Sequence, residues 1–305
     1  MLGLFILGLA FALIALVSGN NLSACTGAII GGKITSKKTG IAIAILGFIL
    51  GLILEGAFLK KGVETILPVK NELLIAGVFS IAILVFLLAD KTRVPLSLTI
   101  SFTSMLIGLS VGMGAPINWY FILLIFAFWI FMPLLSLFSL PGLMSYFTKR
   151  LKKGSIWNKV AAMKVLLIII SLFTSFTLGA NTIGLIYASV PYGNELAKEA
   201  VAIAAILVGS IFLSEGELER IGNEIVPLRY LNALLSQLVS SIEVEVATLF
   251  GVPLSNTQTF TASLYGIGYG YKARLMRRRP AYAIISVWTL SAALSFLLAF
   301  LLTKL

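Results

Sequence analysis

The sequence predicts an all-α polytopic membrane protein built as two inverted-topology repeats, with about ten transmembrane crossings and two re-entrant hairpins. Three observations lead there. Of the 305 residues 59% are hydrophobic and only 11% charged, at a mean hydropathy of +1.05. The apolar residues gather into stretches long enough to cross a bilayer, and one motif recurs 158 positions later in the chain. Soluble domains are about 25% charged, and so little polar surface cannot cover a water-exposed globule of this size. Soluble enzymes, disulfide scaffolds, coiled coils and disordered tails are excluded together.

A crossing helix needs about 20 mostly apolar residues. Stretches 2–18, 40–58, 72–89, 117–138, 164–178, 197–213, 229–249 and 281–303 meet that requirement. Four more, 19–35, 94–112, 179–193 and 252–270, are apolar enough for membrane depth but carry clustered Gly, Pro, Ser, Thr and Asn. They read as broken helices, which membranes tolerate only where protein buries them or where they line a cavity. The N-terminal Met1-Leu2-Gly3-Leu4-Phe5 lacks the basic region of a secretory signal and reads as a retained span.

The repeat is explicit. Val94-Pro95-Leu96-Ser97-Leu98-Thr99 is matched by Val252-Pro253-Leu254-Ser255-Asn256-Thr257, and ten of the nineteen positions from Val94 to Gly112 are identical to their partners. A second pair of breaks, Ser18-Gly19-Asn20-Asn21 and Gly179-Ala180-Asn181-Thr182, lies at offset 161 and keeps the order of elements. The chain divides into a first repeat at 1–145, a basic linker at 146–163 holding Lys149, Arg150, Lys152, Lys153 and Lys159, and a second repeat at 164–305.

If the first break of each half is re-entrant and the second crosses, each half makes five crossings, and an odd number inverts the second half. That topology puts 18 of the 23 Lys and Arg on the cytoplasmic side, including Lys33, Lys91, the linker and the run Lys272, Arg274, Arg277, Arg278 and Arg279. Both termini then face outward, in a multi-pass protein of the cell membrane. The net charge of +11 thus reports topology, and nucleic acid is excluded as a partner. Membrane lipids are the expected surroundings, and a homodimer is left open. The basic cluster near Lys272 is read by the same rule, ahead of specific lipid binding.

Inverted halves with paired breaks are the architecture of secondary transporters, whose half-helix N-termini meet near the bilayer midplane and favour an anion. A Pro-x-Ser-x-Thr element suits this. Proline tolerates a first helical turn, and Ser97, Thr99, Ser255 and Thr257 add hydroxyl donors to the exposed amides there. Asn20 and Asn181 offer both carbonyl and NH2 groups, for a small cation or an oxyanion. Singly, such residues most often cap or join helices; their symmetric recurrence favours a binding site.

These residues resemble the inorganic phosphate transporter (PiT) family, which repeats a G-A-N-D-x-A-N-A-x-G element and a P-V-S-x-T-H element. The first is echoed by Ser18 to Gly27 and by Gly179 to Leu185, the second by the two V-P-L-S segments, along nearly the whole chain. The resemblance implies a cation-coupled symporter of inorganic phosphate working by alternating access. Asn20, Ser97, Thr99, Asn181, Ser255 and Thr257 would bind substrate, and Asn21, Ser23 and Thr182 would hold the coupling ion, Na+ or H+. The chain departs from the family where its two aspartates are replaced by Asn21 and Thr182, and its histidines by Ile100 and Gln258. Without two fixed negative charges, a proton-coupled permease of sulfate or another oxyanion is the alternative.

With no histidine in the chain, proton work falls to carboxylates. Glu55, Glu243 and Glu245 lie in apolar spans. Glu243 and Glu245 point about 200° apart on a helix, so only one faces a given cavity. Glu243, near Ser240 and Ser241, is the choice for a proton carrier, while Glu55 is read as reaching towards Lys60. Cys25 is read as packing, the tryptophans as packing or interface anchors, and Glu215 to Arg220 as a solvated loop. No metal centre, cofactor or catalytic residue is expected. A lipid-phosphate enzyme would need a base or metal cluster that is missing from the sequence; a passive channel would not need two matching inverted halves.

Overall fold

A computed structural model describes residues 1–92, 96–150, 156–191, 193–213, 230–270 and 279–305. All its elements are helical: α1 (Leu2–Gly31), α2 (Lys37–Ile66), α3 (Glu72–Thr92), α4 (Leu98–Gly112), α5 (Trp119–Arg150), α6 (Ile156–Leu178), a π turn (Gly179–Ile183) leading into α7 (Gly184–Ala188), α8 (Glu195–Phe212), α9 (Tyr230–Leu249), α10 (Asn256–Gly270) and α11 (Arg279–Leu302). Among the described residues six rods are long and apolar enough to cross a membrane: α1, α2, α3, α5, the continuous α6–α7 run and α11. Their side chains are distributed inside out relative to a soluble protein. Leu88, Phe131, Phe138 and Leu294 face outward, whereas Ser18, Thr26, Thr103, Ser175 and Asn181 are buried. In lipid the apolar surround is the solvent, and polar groups turn into the bundle.

Glycines set the packing. An added Cβ at Gly51 would stand 1.9 Å from Phe176 O, and one at Gly209 would stand 2.0 Å from Ala15 O. Gly209 follows Gly51 by 158 positions and Phe176 follows Ala15 by 161, so the α2–α6 contact and the α8–α1 contact are the same contact made twice. Gly108 against Phe296 O on α11 and Gly266 against Leu137 O on α5 form a second such pair. In all four contacts a helix from α1–α5 closes against one from α6–α11, and only glycine permits backbones this close.

The two copies of the proline element each open a 15-residue helix, α4 and α10. At 1.5 Å per residue these reach about 22 Å, short of a hydrocarbon core of about 30 Å. Trp129 Nε1 donates to Pro253 O at 2.8 Å and holds the extended entry to α10 against α5.

Several expectations are corrected. The stretch 19–35 is not a re-entrant hairpin: α1 runs unbroken through Gly19, Asn20 and Asn21 to Gly31. Gly19 serves instead as a close contact, its missing Cβ making room for Leu213 O. In the second half the helix also continues, widened into the π turn at the matching place. The expected linker is largely helical, since α5 extends to Arg150, with Lys149 and Arg150 suiting its C-terminal dipole, and α6 starts at Ile156. Glu55 does not reach Lys60, which pairs with Glu195 at 3.1 Å; Glu55 faces Glu245. Val94 and Pro95, Lys152 and Lys153, the run Glu215 to Arg220, and Lys272 to Arg278 lie outside the described residues.

Candidate functional site

Ser97 and Ser255 are the N-cap residues of α4 and α10. Ser97 Oγ accepts from Ile100 N at 3.4 Å and Ser255 Oγ from Gln258 N at 3.3 Å. An N-cap serine satisfies one of the first-turn amides; those of Leu98, Thr99, Asn256 and Thr257 lie ahead of the first intrahelical acceptor. The two caps meet. Ser97 Oγ donates to Ser255 Oγ at 2.7 Å, both residues being buried.

Around this junction lies a cavity of about 390 Å³, its mouth included. Asn20 and Asn21 of α1, Ser97 and Thr99, Thr182 of the π turn, and Ser255, Asn256 and Thr257 supply its polar wall. Val17, Phe86, Leu96 and Leu178 contribute apolar wall. Thr99 Oγ1 and Thr182 Oγ1 approach to 3.4 Å. Among the described residues no charged side chain lines the cavity, and its field there comes from amides, hydroxyls and the positive ends of two converging helices. Each helix terminus favours an anion by about 0.3–1 kcal/mol, and more when partly buried.

Seven of the residues singled out in the sequence thus line one cavity: Asn20, Asn21, Ser97, Thr99, Thr182, Ser255 and Thr257. Three do not. Ser23 sits further along α1, its hydroxyl donating back to Asn20 O at 3.4 Å. Asn181 is fully buried and turned away from the cavity. Its Nδ2 donates to Thr248 Oγ1 at 2.9 Å and to Val252 O at 3.0 Å, and its Oδ1 accepts from Leu254 N at 3.0 Å. Asn181 therefore grips the extended strand that delivers Ser255. Glu243 is 3% exposed and faces α5, where Ser136 Oγ donates to its Oε2 at 2.7 Å and Ser263 Oγ donates to Ser136 Oγ at 3.1 Å. Glu245 turns instead towards Glu55 on α2, so the two acids do face different neighbours.

Asn256 was missed. It occupies an unassigned position inside the V-P-L-S-N-T element, and its polarity was the available signal. Ser240 Oγ donates to its Oδ1 at 2.7 Å, which leaves its NH2 as a donor at the cavity wall. The wall as a whole offers NH2, O–H and N–H donors to an oxyanion. It also offers uncharged carbonyl and hydroxyl oxygens of the kind that hold hard cations. Among the described residues no three His, Cys, Asp or Glu converge.

A candidate phosphate permease of Methanocaldococcus jannaschii is 23% identical over 302 residues, 97% of this chain and 95% of that one. The sulfate permease CysP of Bacillus subtilis is 24% identical over 292 residues, 90% of this chain and 79% of its own. A solved structure described as the sodium-dependent phosphate transporter shares the fold with a TM-score of 0.78 at 16% identity, covering 99% of this chain and 98% of that one. The pattern that defines the phosphate transporter family matches residues 17–299, and the chain belongs to that family.

Proposed function

We propose that the protein is a secondary active transporter of inorganic phosphate across the cell membrane, cation-coupled and working by alternating access between two inverted halves. The observation that carries this reading is the meeting of Ser97 with Ser255, which aims two half-helix N-termini into one uncharged, donor-rich cavity. Asn20, Thr99, Thr257 and Asn256 complete the anion shell, while Asn21 and Thr182 offer oxygens to a coupling cation. The reciprocal glycine contacts support two halves of like fold, and the distribution of Lys and Arg supports a cytoplasmic Lys33 side with both termini outside.

A second reading is favoured by one specific observation: among the described residues no carboxylate lines the cavity, so an entering dianion meets no fixed negative charge there and a Na+ meets none to pair with. The protein then carries sulfate or another oxyanion with protons, and Glu243 is the carrier. Its burial, its bond from Ser136 and the absence of a partner for buried Oε1 among the described residues support that role.

Uptake of labelled phosphate into proteoliposomes, with excess cold sulfate as competitor, separates the two readings under an imposed Na+ gradient and then a pH gradient. Na+-dependent accumulation that resists sulfate selects the first. Accumulation that sulfate suppresses and only the pH gradient drives selects the second, and no accumulation under either gradient rejects both.

A further inference from the structure

We infer that the seam between α1 and α9 is the gate closing the cavity towards the Lys33 end of the bundle, with Gln237 as its latch. The inference rests on the transport reading above. Gln237 is 3% exposed, and its Nε2 donates across the seam to Ala24 O at 2.8 Å and Cys25 O at 3.2 Å. Those carbonyls lie one turn along α1 from Asn20 and Asn21, which line the cavity. One turn along α9 in the other direction, Ser240 holds Asn256 of the cavity wall. Gln237 thus sits directly behind the cavity.

Beyond it, Ile29, Leu167, Ile170, Ala233 and Leu234 form a small apolar cluster separate from the main core. Further out, Tyr230 OH donates to Gly32 O at 3.2 Å, beside Lys33. An ion leaving the cavity along this seam meets a polar latch, an apolar plug and a tyrosine clasp in turn.

Two features mark this seam as one that parts. Helices α1 and α8 meet backbone to backbone at Gly19 and Gly209, whereas α9 reaches α1 through the long side chains of Gln237 and Tyr230. Side-chain bridges can release without breaking a helix. Gln237 Oε1 is also buried without a partner among the described residues. An unsatisfied buried acceptor raises the free energy of the closed arrangement, and water entering an open seam would satisfy it. Closed and open states are thereby brought nearer in free energy, as an alternating gate requires.

The protein carries its own reporter: Cys25, whose carbonyl accepts from Gln237 and whose fully buried thiol lies behind it against Ser175, is the single cysteine of the chain. Alkylation by N-ethylmaleimide, followed by intact mass on protein in proteoliposomes, is expected to be slow in the resting wild type. In Gln237→Ala it is expected to be roughly two- to tenfold faster, the factor matching loss of an ordinary hydrogen-bonded latch. An unchanged rate in a Gln237→Ala protein that elutes as wild type overturns the inference. This arm needs no substrate, so it decides the matter even where neither phosphate nor sulfate is taken up. If Gln237→Ala fails to fold, Gln237→Cys supplies the second arm. Oxidative cross-linking to Cys25 should abolish uptake and reduction restore it, while uptake that continues through the cross-link overturns the gate.

Discussion

Ser97 and Ser255 stand 158 positions apart in the chain and 2.7 Å apart in space, Oγ to Oγ. They are the same position in two copies of one sequence element, and each caps its own half-helix. The first-turn amides of both half-helices therefore approach one point from two sides. A tetrahedral oxyanion, with acceptors pointing in all directions, suits such a point better than a planar or extended ligand would. Because Ser97 donates to Ser255, the Ser255 hydroxyl keeps a proton not engaged among the described residues.

Asn181 and Asn20 occupy matching motif positions but hold different partners, so alanine at each should act differently. Asn181→Ala strands Val252 O and Leu254 N, and each unsatisfied buried group costs about 1–3 kcal/mol. A clear drop in thermal stability is expected, measured by fluorescence-detected size exclusion in detergent. Asn20→Ala should raise the substrate KM with little change in stability. Equal melting of the two variants would contradict the assignment.

The reciprocal glycine contacts make a second prediction. Gly51→Ala or Gly209→Ala drives a methyl to within 2.0 Å of a backbone carbonyl oxygen, and the helices must separate. Overpacking of this kind costs about 1–3 kcal/mol or more. Gly8→Ala, with nothing within 4 Å of its added Cβ, is the control and should melt as wild type.

Glu243→Gln keeps the shape of the side chain and the bond from Ser136 while removing the titrating proton. Under the proton-coupled reading, pH-driven accumulation should vanish while exchange of labelled for unlabelled anion persists. Unchanged pH dependence of uptake would reject Glu243 as the carrier.

Outside the spans, Glu195 accepts from Tyr187 OH at 2.7 Å and pairs with Lys60 at 3.1 Å and Lys198 at 3.3 Å. The tyrosine hydrogen bond first, then the two ammonium groups, hold its carboxyl down to about 2. A carboxyl lowered on folding contributes stability above its ordinary range, and that contribution is lost as pH falls from about 4.5 towards 2. With the side chain 54% exposed, solvent screening keeps the effect small. Glu195→Gln should lower stability slightly at neutral pH and converge with wild type near pH 2, so that the acid limb flattens; an acid limb identical to wild type would contradict it.

Much of this was legible in the sequence because a repeated V-P-L-S element in an apolar chain has few uses other than opening a half-helix. The same residues proved to cap α4 and α10 and to meet. The break at Gly19 was misread because sequence does not distinguish a glycine that bends a helix from one that admits a neighbour, and here Leu213 O occupies the space. Asn181 was misplaced by the π turn: a wider turn alters the angle between successive side chains, so Thr182 takes the cavity and Asn181 the strand behind it. Gln237 carried no motif, and nothing in its neighbours along the chain distinguishes a latch from a helix-joining polar residue.

The most direct test is equilibrium binding of labelled phosphate and labelled sulfate to the purified protein, wild type beside Ser97→Ala with Ser255→Ala. Loss of hydroxyl donors to a charged oxygen should cost about 1.5–3 kcal/mol, a fall in affinity of roughly 10- to 100-fold, with the fold retained. Binding by the double variant at wild-type affinity would contradict an oxyanion site where the two serines meet.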